Sequence, residues 1–255
     1  MELLASGRAS AVYAVDDRTV LRRSASDCET EARLMRYLRG RGYPVPQVYT
    51  ASGAEMTMER LYGPTLLDAL LTGSVDLAAA AETLLALLGD LHRIEPPPWL
   101  AATARGVDLA ATAPDRAVLH LDLHPGNVLL TDDGPQVIDW TNAAAGDPAV
   151  DRAVTWAILA EVDPSEVDSC LAAGLGPLLH RLAADLPPAS LAVGVRFRHA
   201  DPNVGDSERD RVRARLDGTS NADVIARIAA QPPVEVSSEE IVAYIEAGRP
   251  RREQR

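Results

Sequence analysis

Hydrophobic and polar positions divide the chain into two stretches of different rhythm. Up to about residue 60 the pattern is one of short strands and a single helix. Ala11-Val12-Tyr13-Ala14-Val15 and Thr19-Val20-Leu21-Arg22 are β-prone, and the polar Asp16-Asp17-Arg18 between them predicts a hairpin. Asp27 to Arg39 carries Ala32, Leu34, Met35 and Leu38 at helical spacing, with Ser26 or Asp27 as the N-cap and Gly40 and Gly42 as the stop. Val45 to Ala51, which follows Pro44 and Pro46, and Glu55 to Leu61 predict two more strands; Tyr62-Gly63-Pro64 breaks the run.

From residue 63 the spacing turns helical. Thr65 to Leu71 predicts a short helix. Leu77 to Ile94 predicts a long one, with Leu77, Leu84, Leu88 and Leu91 on one stripe and apolar residues almost all round, as in a buried core helix. Pro96-Pro97-Pro98 ends it. Val118 to Leu121, Val128 to Leu130 and Gln136 to Ile138 predict short strands, the last two separated by a turn at Thr131-Asp132-Asp133-Gly134. Asp151 to Val162 is again helical. The rest reads as helix to about residue 247, broken at Pro187-Pro188 and Pro232-Pro233, before a polar tail at residues 248–255 that is expected to fray. No internal repeat is present. The expected class is α+β: a small β-rich lobe over residues 1–60, a hinge near 59–62, and a larger, mainly helical lobe over 63–247.

Composition narrows the function classes. The 255 residues are 47% hydrophobic and 24% charged, which fits a globular protein and excludes disordered, collagen-like and coiled-coil chains. With 25 basic and 37 acidic residues the net charge is −12, unfavourable for gripping nucleic acid through its phosphates. An acidic surface can attract a cationic small molecule, or it can simply keep the protein soluble. All 25 basic residues are arginine. Chemistry that commonly uses lysine must therefore use arginine here or go without. Cys28 and Cys170 are far apart and lack zinc or disulfide spacing. The first residues lack a basic segment followed by an apolar one, and the most apolar stretch, Ala78 to Leu91, is interrupted by Glu82 and Asp90 and is too short for a bilayer of about 30 Å. A cytoplasmic protein with no membrane partner is expected; oligomeric state is not legible.

One segment carries chemistry: His120-Leu121-Asp122-Leu123-His124-Pro125-Gly126-Asn127-Val128-Leu129-Leu130, followed by Val137-Ile138-Asp139-Trp140. Asp122 follows a β-prone run, Asn127 stands five residues later across a Pro-Gly turn, and Asp139 ends the next hydrophobic strand. Carboxylate and amide oxygens on the rims of adjacent short strands can converge, and they are the hard ligands that Mg²⁺ prefers. Phosphoryl transfer needs that metal, and also a carboxylate to orient the acceptor hydroxyl and take its proton.

The spacing His-x-Asp-x-x-x-x-Asn matches the catalytic loop of protein kinases. With His124-Pro125-Gly126 before the Asn, Ile138-Asp139-Trp140 after it and Gly146-Asp147-Pro148-Ala149-Val150-Asp151 downstream, the chain resembles the aminoglycoside phosphotransferase family of small-molecule kinases over roughly residues 5–160. The resemblance implies a two-lobed protein-kinase-like fold with ATP and Mg²⁺ between the lobes. It implies Asp122 as the catalytic carboxylate and Asn127 and Asp139 as metal ligands. Ser6 to Tyr13 takes the place of the nucleotide-covering loop. It keeps one glycine, Gly7, where three are usual, and fills the other places with Ala9, Ser10 and Ala11, so Gly7 and Ser10 are its candidate phosphate contacts. Arg22 stands where kinases have their phosphate-pairing lysine, with Glu31 as its expected partner and Glu29 as the alternative; surface ion pairing by Arg22 and Arg23 is the plainer reading. Met56 to Leu61 resembles the hinge, where Glu59 and Leu61 would offer backbone groups to adenine and Met58 would pack. His120 and His124 are expected to be structural, Asp151 to accept hydrogen bonds from the catalytic-loop backbone, Asp147 to cap or turn, and His92 to pack. His180 and His199 stand in no motif.

The implied activity is transfer of the γ-phosphate to a hydroxyl of a small molecule. The family's acceptors include aminoglycosides and other antibiotics, and relatives act on choline, homoserine and sugars. Acidic patches at Glu161, Asp163, Glu166 and Asp168, and at Asp201, Asp206, Glu208 and Asp210, could hold a cationic antibiotic. Equally, with Arg209, Arg211, Arg213 and Arg215 interleaved, they could form a solvated helix face. A protein kinase is disfavoured by Trp140 in place of the Phe of Asp-Phe-Gly and by the missing Ala-Pro-Glu segment. A catalytically silent kinase-like binding module is the remaining alternative.

Overall fold

Residues 2–59 supply five antiparallel strands and one helix. In the computed structural model, which describes residues 1–6, 10–110, 112–113, 115–167 and 169–217, these are β1 (Glu2–Ser6), β2 (Ser10–Ala14), β3 (Thr19–Ser24), α1 (Glu29–Arg39), β4 (Val48–Ser52) and β5 (Glu55–Glu59). The sheet runs in the order β1-β2-β3-β5-β4. Its outer strand β1 is exposed along its whole length, whereas Val20, Leu21 and Arg22 of β3 are buried. Register places Val20 opposite Met58 and Arg22 opposite Met56, so these four side chains share one face. Helix α1 packs Ala32, Leu34, Met35 and Leu38 into the same core as Met56. Its N-cap is Cys28, one residue later than expected, while the Asp27 carboxylate accepts from the Glu29 N–H (2.9 Å).

The rest is mainly helical: α2 (Leu66–Leu71), α3 (Leu77–Leu91), α4 (Pro148–Ala160), α5 (Ser169–Ala183), α6 (Pro188–His199) and α7 (Asp206–Asp217). Helix α2 starts with a reciprocal cap: the Asp68 N–H donates to Thr65 Oγ1 and the Thr65 N–H to Asp68 Oδ2, both at 3.0 Å. Between α3 and α4 lie three two-stranded ribbons: β6 (Thr103–Ala104) with β7 (Val107–Asp108), β8 (Ala117–Leu119) with β11 (Ala144–Gly146), and β9 (Val128–Thr131) with β10 (Gly134–Val137). The expected α+β class, with a β-sheet N-terminal part and a helical remainder, is what the chain adopts.

Several elements depart from the sequence reading. Strands β1, β6, β7 and β11 carry no alternating signal, being short, exposed or built of Ala and Gly, and were not expected. Strand β8 pairs with β11 and not with its sequence neighbour β9, because the segment 120–127 between them loops out. Helix α3 is not buried all round: Ala78, Ala79, Glu82, Ala86 and Asp90 face solvent, a face of mostly small residues that looked apolar only because alanine was counted so. Helix α4 starts at Pro148, three residues early, capped by Asp147, whose carboxylate accepts from the Ala149 N–H (2.9 Å). The helical reading over 218–247 and the expected tail at 248–255 lie outside the described residues. No helix among the described residues is long and apolar enough to cross a membrane.

A single carboxylate joins α3, α4 and the end of β8. Asp151, fully buried on α4, accepts from the backbone N–H of His120 (Oδ2, 3.0 Å) and of Leu121 (Oδ1, 2.7 Å), and its Oδ2 lies 3.0 Å from His92 Nε2 at the C-terminus of α3. Burial alone would raise its pKa. The His92 hydrogen bond and charge and the backbone donors outweigh burial and hold it below the ordinary value of 3.8. A carboxylate with a depressed folded pKa contributes stability that is present above the unfolded value and lost as pH falls through the folded value. Asp151→Ala, which orphans two buried N–H groups and His92, should cost about 3–5 kcal/mol in urea unfolding at pH 7. The acid limb that Asp151 adds to the stability–pH profile should vanish in Asp151→Asn.

Candidate active site

The strands β8, β9 and β10 lead into two backbone residues in the left-handed region, Leu121 (φ 62°) and Asp139 (φ 63°). That conformation costs a non-glycine residue about 1–3 kcal/mol, so the surroundings must enforce it. At Leu121 the enforcement comes from Asp151, which holds two successive N–H groups. At Asp139 it comes from the next residue: the Trp140 N–H donates to Glu31 Oε1 (3.1 Å), and the Trp140 ring is buried against His120 (centroids 4.6 Å apart) and Tyr43 (5.6 Å).

His120 ties the two bends together. Its Nδ1 accepts from the Asp122 N–H (3.2 Å), so Nε2 carries the proton and donates to the Ile138 carbonyl (3.1 Å). Burial lowers its pKa, which keeps the ring neutral and suits that tautomer. His124 caps the single-turn 3₁₀ helix Pro125–Asn127 through the Gly126 N–H (3.1 Å); burial first, then the Arg198 and His120 charges, lower its pKa to about 4. The Asn127 Nδ2 donates to the Asp122 carbonyl (2.9 Å), leaving Oδ1 without a hydrogen bond among the described residues, while the Asn127 carbonyl accepts from the Ile138 N–H (3.0 Å). Asp122, Asn127 and Asp139 are thus held in one hydrogen-bonded frame.

Arg22 enters this frame from the sheet. One arm of its guanidinium, Nη1, is bonded to Glu31 Oε1 on α1. The other, Nη2, donates to Thr141 Oγ1 (2.8 Å) and lies 3.7 Å from Asp139 Oδ1. Both Arg22 and Glu31 are buried. Burial raises the Glu31 pKa and Arg22 opposes the rise, so the acid is protonated more readily than a free one yet remains in a charge-assisted contact. Glu31 and not Glu29 is therefore the partner; Glu29 accepts from the Gly53 N–H. Arg23 forms the exposed pair with Glu55 (2.8 Å) that the plainer reading allowed.

Asp122 keeps part of its surface open, but protein atoms surround it densely. Burial pushes its pKa up to about 7; Asp139 and Asp201 add to the rise, and Arg198 and Arg105 oppose it. The two arginines belong to a network that the sequence did not reveal. Arg198 on α6 grips Glu161 through Nε (2.9 Å to Oε1) and Nη2 (2.8 Å to Oε2) and lies 3.5 Å from Asp201. Arg105, in the tight turn between β6 and β7, reaches Asp201 Oδ2 (3.1 Å) and Asn142 Oδ1 (3.0 Å) and stacks over Phe197. Little in the local sequence marks either arginine: the Arg198–Glu161 and Arg105–Asn142 contacts each span 37 residues, and only the longer Arg198–Asp201 contact is local. Thr141 was also missed; a hydroxyl two positions after Asp139 was its only signal.

The other candidates stand apart from this cluster. Ser10 opens β2 opposite Ser24, and Gly7 lies outside the described residues. At the end of β5 the Glu59 N–H already donates to the Gln47 carbonyl (2.8 Å), and its carboxylate pairs with Arg39 (3.2 Å). Leu61, two residues on, has backbone N–H and C=O groups with no hydrogen bond among the described residues. Pro64 and Gly63 then press against β9: the Leu130 N–H donates to the Pro64 carbonyl (2.9 Å), and a Cβ on Gly63 (φ 142°) would collide with the Leu130 carbonyl. For a divalent cation the available donors are Asn127 Oδ1 and the Asp139 carboxylate, hard oxygens suited to Mg²⁺. That ion binds through one or two carboxylates plus substrate phosphates more often than in an all-protein cage. No group of three or more His, Cys, Asp or Glu that could hold a metal ion occurs among the described residues.

Comparison with known proteins places this geometry. The chain matches a model of the phosphotransferase enzyme family over residues 1–110 and 99–184. No curated protein sequence matches it. Among solved structures it resembles a thermostable mutant of aminoglycoside phosphotransferase APH(4)-Ia in ternary complex with ADP and hygromycin B (16% identity, TM-score 0.56, covering 91% of this chain and 94% of that one). It also resembles APH(2")-IIa in complex with gentamicin (15%, TM-score 0.53, 90% and 91%) and choline kinase from Cryptosporidium parvum (12%, TM-score 0.56, 89% and 92%). At these identities the structural likeness is one of fold, whereas the family model spans well over half of the sequence: the chain belongs to the phosphotransferase enzyme family.

Proposed function

We propose that the protein is an ATP- and Mg²⁺-dependent kinase that moves the γ-phosphate to a hydroxyl of a small molecule. The observation that carries this reading is the junction of Arg22, Glu31 and Asp139 beside the Asp122–Asn127 loop: a cation and carboxylates of the kinds that phosphate pairing, metal binding and proton removal would need. Asn127 and Asp139 would hold Mg²⁺, whose bound charge offsets that of the phosphates. Arg22 pairs with phosphate oxygens and Glu31 aims it. Gly7 and Ser10 cover the phosphates, and the Glu59 carbonyl and Leu61 N–H bond the adenine at a hinge near 59–62. Asp122 orients the acceptor hydroxyl and takes its proton as the oxygen bonds to the γ-phosphorus and the bond to the bridging oxygen of ADP breaks. Placement and charge neutralisation supply most of the rate.

The acceptor is read from the carboxylates that a polycationic antibiotic would need. Glu161, Asp163, Asp201, Asp206 and Asp210 each stand in an ion pair, with Arg198, Arg211, Arg105, Arg209 and Arg213 respectively. Carboxylates already matched in this way favour an acceptor of modest charge, a hydroxylated metabolite of the choline, homoserine or sugar type, over an aminoglycoside. A silent binding module is disfavoured by the intact set of Asp122, Asn127 and Asp139.

Screening hydroxylated amines, sugars and antibiotics for acceptor-stimulated ADP release tests the reading; no release above blank with any acceptor would support the module instead. Asp122→Ala should lower turnover by about 10²–10⁴-fold while nucleotide-induced thermal stabilisation stays nearly intact. Asp139→Ala should instead abolish the part of that stabilisation that requires Mg²⁺, and EDTA should do the same to the unsubstituted protein.

A further inference from the structure

A guanidinium in place of an ammonium creates a geometric problem. Lysine offers a compact charge, whereas arginine offers a flat fork whose second arm must find an acceptor. Arg22 is buried, and only its Nη1 is taken by Glu31. Nη2 lies 3.7 Å from Asp139 Oδ1. A direct pair there would neutralise the carboxylate that the proposed function assigns to the metal. Thr141 Oγ1 bridges them from one side: it accepts from Arg22 Nη2 at 2.8 Å and lies 2.8 Å from Asp139 Oδ1, against 3.4 Å from Glu31 Oε2. A hydroxyl has one proton and two lone pairs, so it can accept from the arginine while donating to the nearer carboxylate. The chain of bonds runs Glu31, Arg22, Thr141, Asp139, and the guanidinium N–H groups outside it stay available to phosphate oxygens.

We propose that Thr141 is a positioning residue: its hydroxyl keeps Arg22 and Asp139 apart and oriented, which lets an arginine serve at the phosphate-pairing position without capturing the metal-binding carboxylate. The inference rests on the Mg²⁺-nucleotide reading above. Without the hydroxyl, Arg22 swings onto Asp139 and competes with the cation, so the loss shows as a raised Mg²⁺ requirement.

The test is a Mg²⁺ titration of ATP-induced thermal stabilisation. Thr141→Val should need about tenfold more Mg²⁺ than the unsubstituted protein, the weight of one charge-assisted hydrogen bond, while Thr141→Ser should return to within about threefold. In an Arg22→Lys background, where the second arm is gone, Thr141→Val should add less than about twofold. Unfolding of the ligand-free variants gives a readout independent of nucleotide: the effects of Arg22→Lys and Thr141→Val on the midpoint should be non-additive. Should Thr141→Val not fold, Thr141→Ala takes its place against Thr141→Ser. An unchanged Mg²⁺ requirement in Thr141→Val, a serine variant as impaired as the valine one, or additive effects of the two substitutions each overturn the proposal. An unsubstituted protein that shows no Mg²⁺-dependent nucleotide binding overturns the functional reading as well, whereas normal binding with an indifferent Thr141→Val overturns only this inference.

Discussion

The buried carboxylate of Glu31 is the contact through which the sheet and the helical part of the chain share one site. It receives the guanidinium of Arg22 from β3 and the Trp140 N–H that follows Asp139. Burying a charge is costly unless it is paired and hydrogen-bonded, and removal of either partner leaves the other stranded. The energetic consequence is that strand, helix and loop are specified together. The left-handed turn at Asp139 persists only while α1 presents an acceptor for the next N–H, and α1 presents it only while Arg22 satisfies the same acid.

A second fixed point, Asp151, does for the loop at Leu121 what Glu31 does for Asp139. Both anchors are carboxylates that bind backbone N–H groups beside a residue with positive φ. Strain at Leu121 and Asp139 is thus met by charge-assisted bonds from helices packed in the core, and the loop needs no glycine at either bend. His120 spans the two bends as a neutral ring, donating from one nitrogen and accepting at the other, so that the spacing between Asp122 and Ile138 is set by a rigid plane.

Much of this was legible in the chain. Strands β2 and β3, helices α1 to α4 and the Asp122, Asn127, Asp139 spacing follow from hydrophobic period and motif, because each is a local pattern repeated over several residues. The choice of Glu31 as the Arg22 partner was also within reach, since Glu31 lies on the buried side of an amphipathic helix. What escaped was built from contacts between distant segments. Strand β11 is Ala-Ala-Gly and signals nothing until it pairs with β8. Arg105 and Arg198 look like any other surface arginine until Asp201 and Glu161 close on them. Of the two readings open for the acidic residues near α7, the structure favours the one with interleaved arginines: Asp201, Asp206 and Asp210 stand in ion pairs with Arg105, Arg209 and Arg213.

The arginine at position 22 has one further consequence. A guanidinium stays protonated throughout the range in which proteins are folded, and so it is a poor nucleophile. The chain contains no lysine, so no side chain in it offers a primary amine. Acylating reagents that mark proteins by reacting with a buried lysine amine would therefore find none to mark beside Glu31 and Asp139.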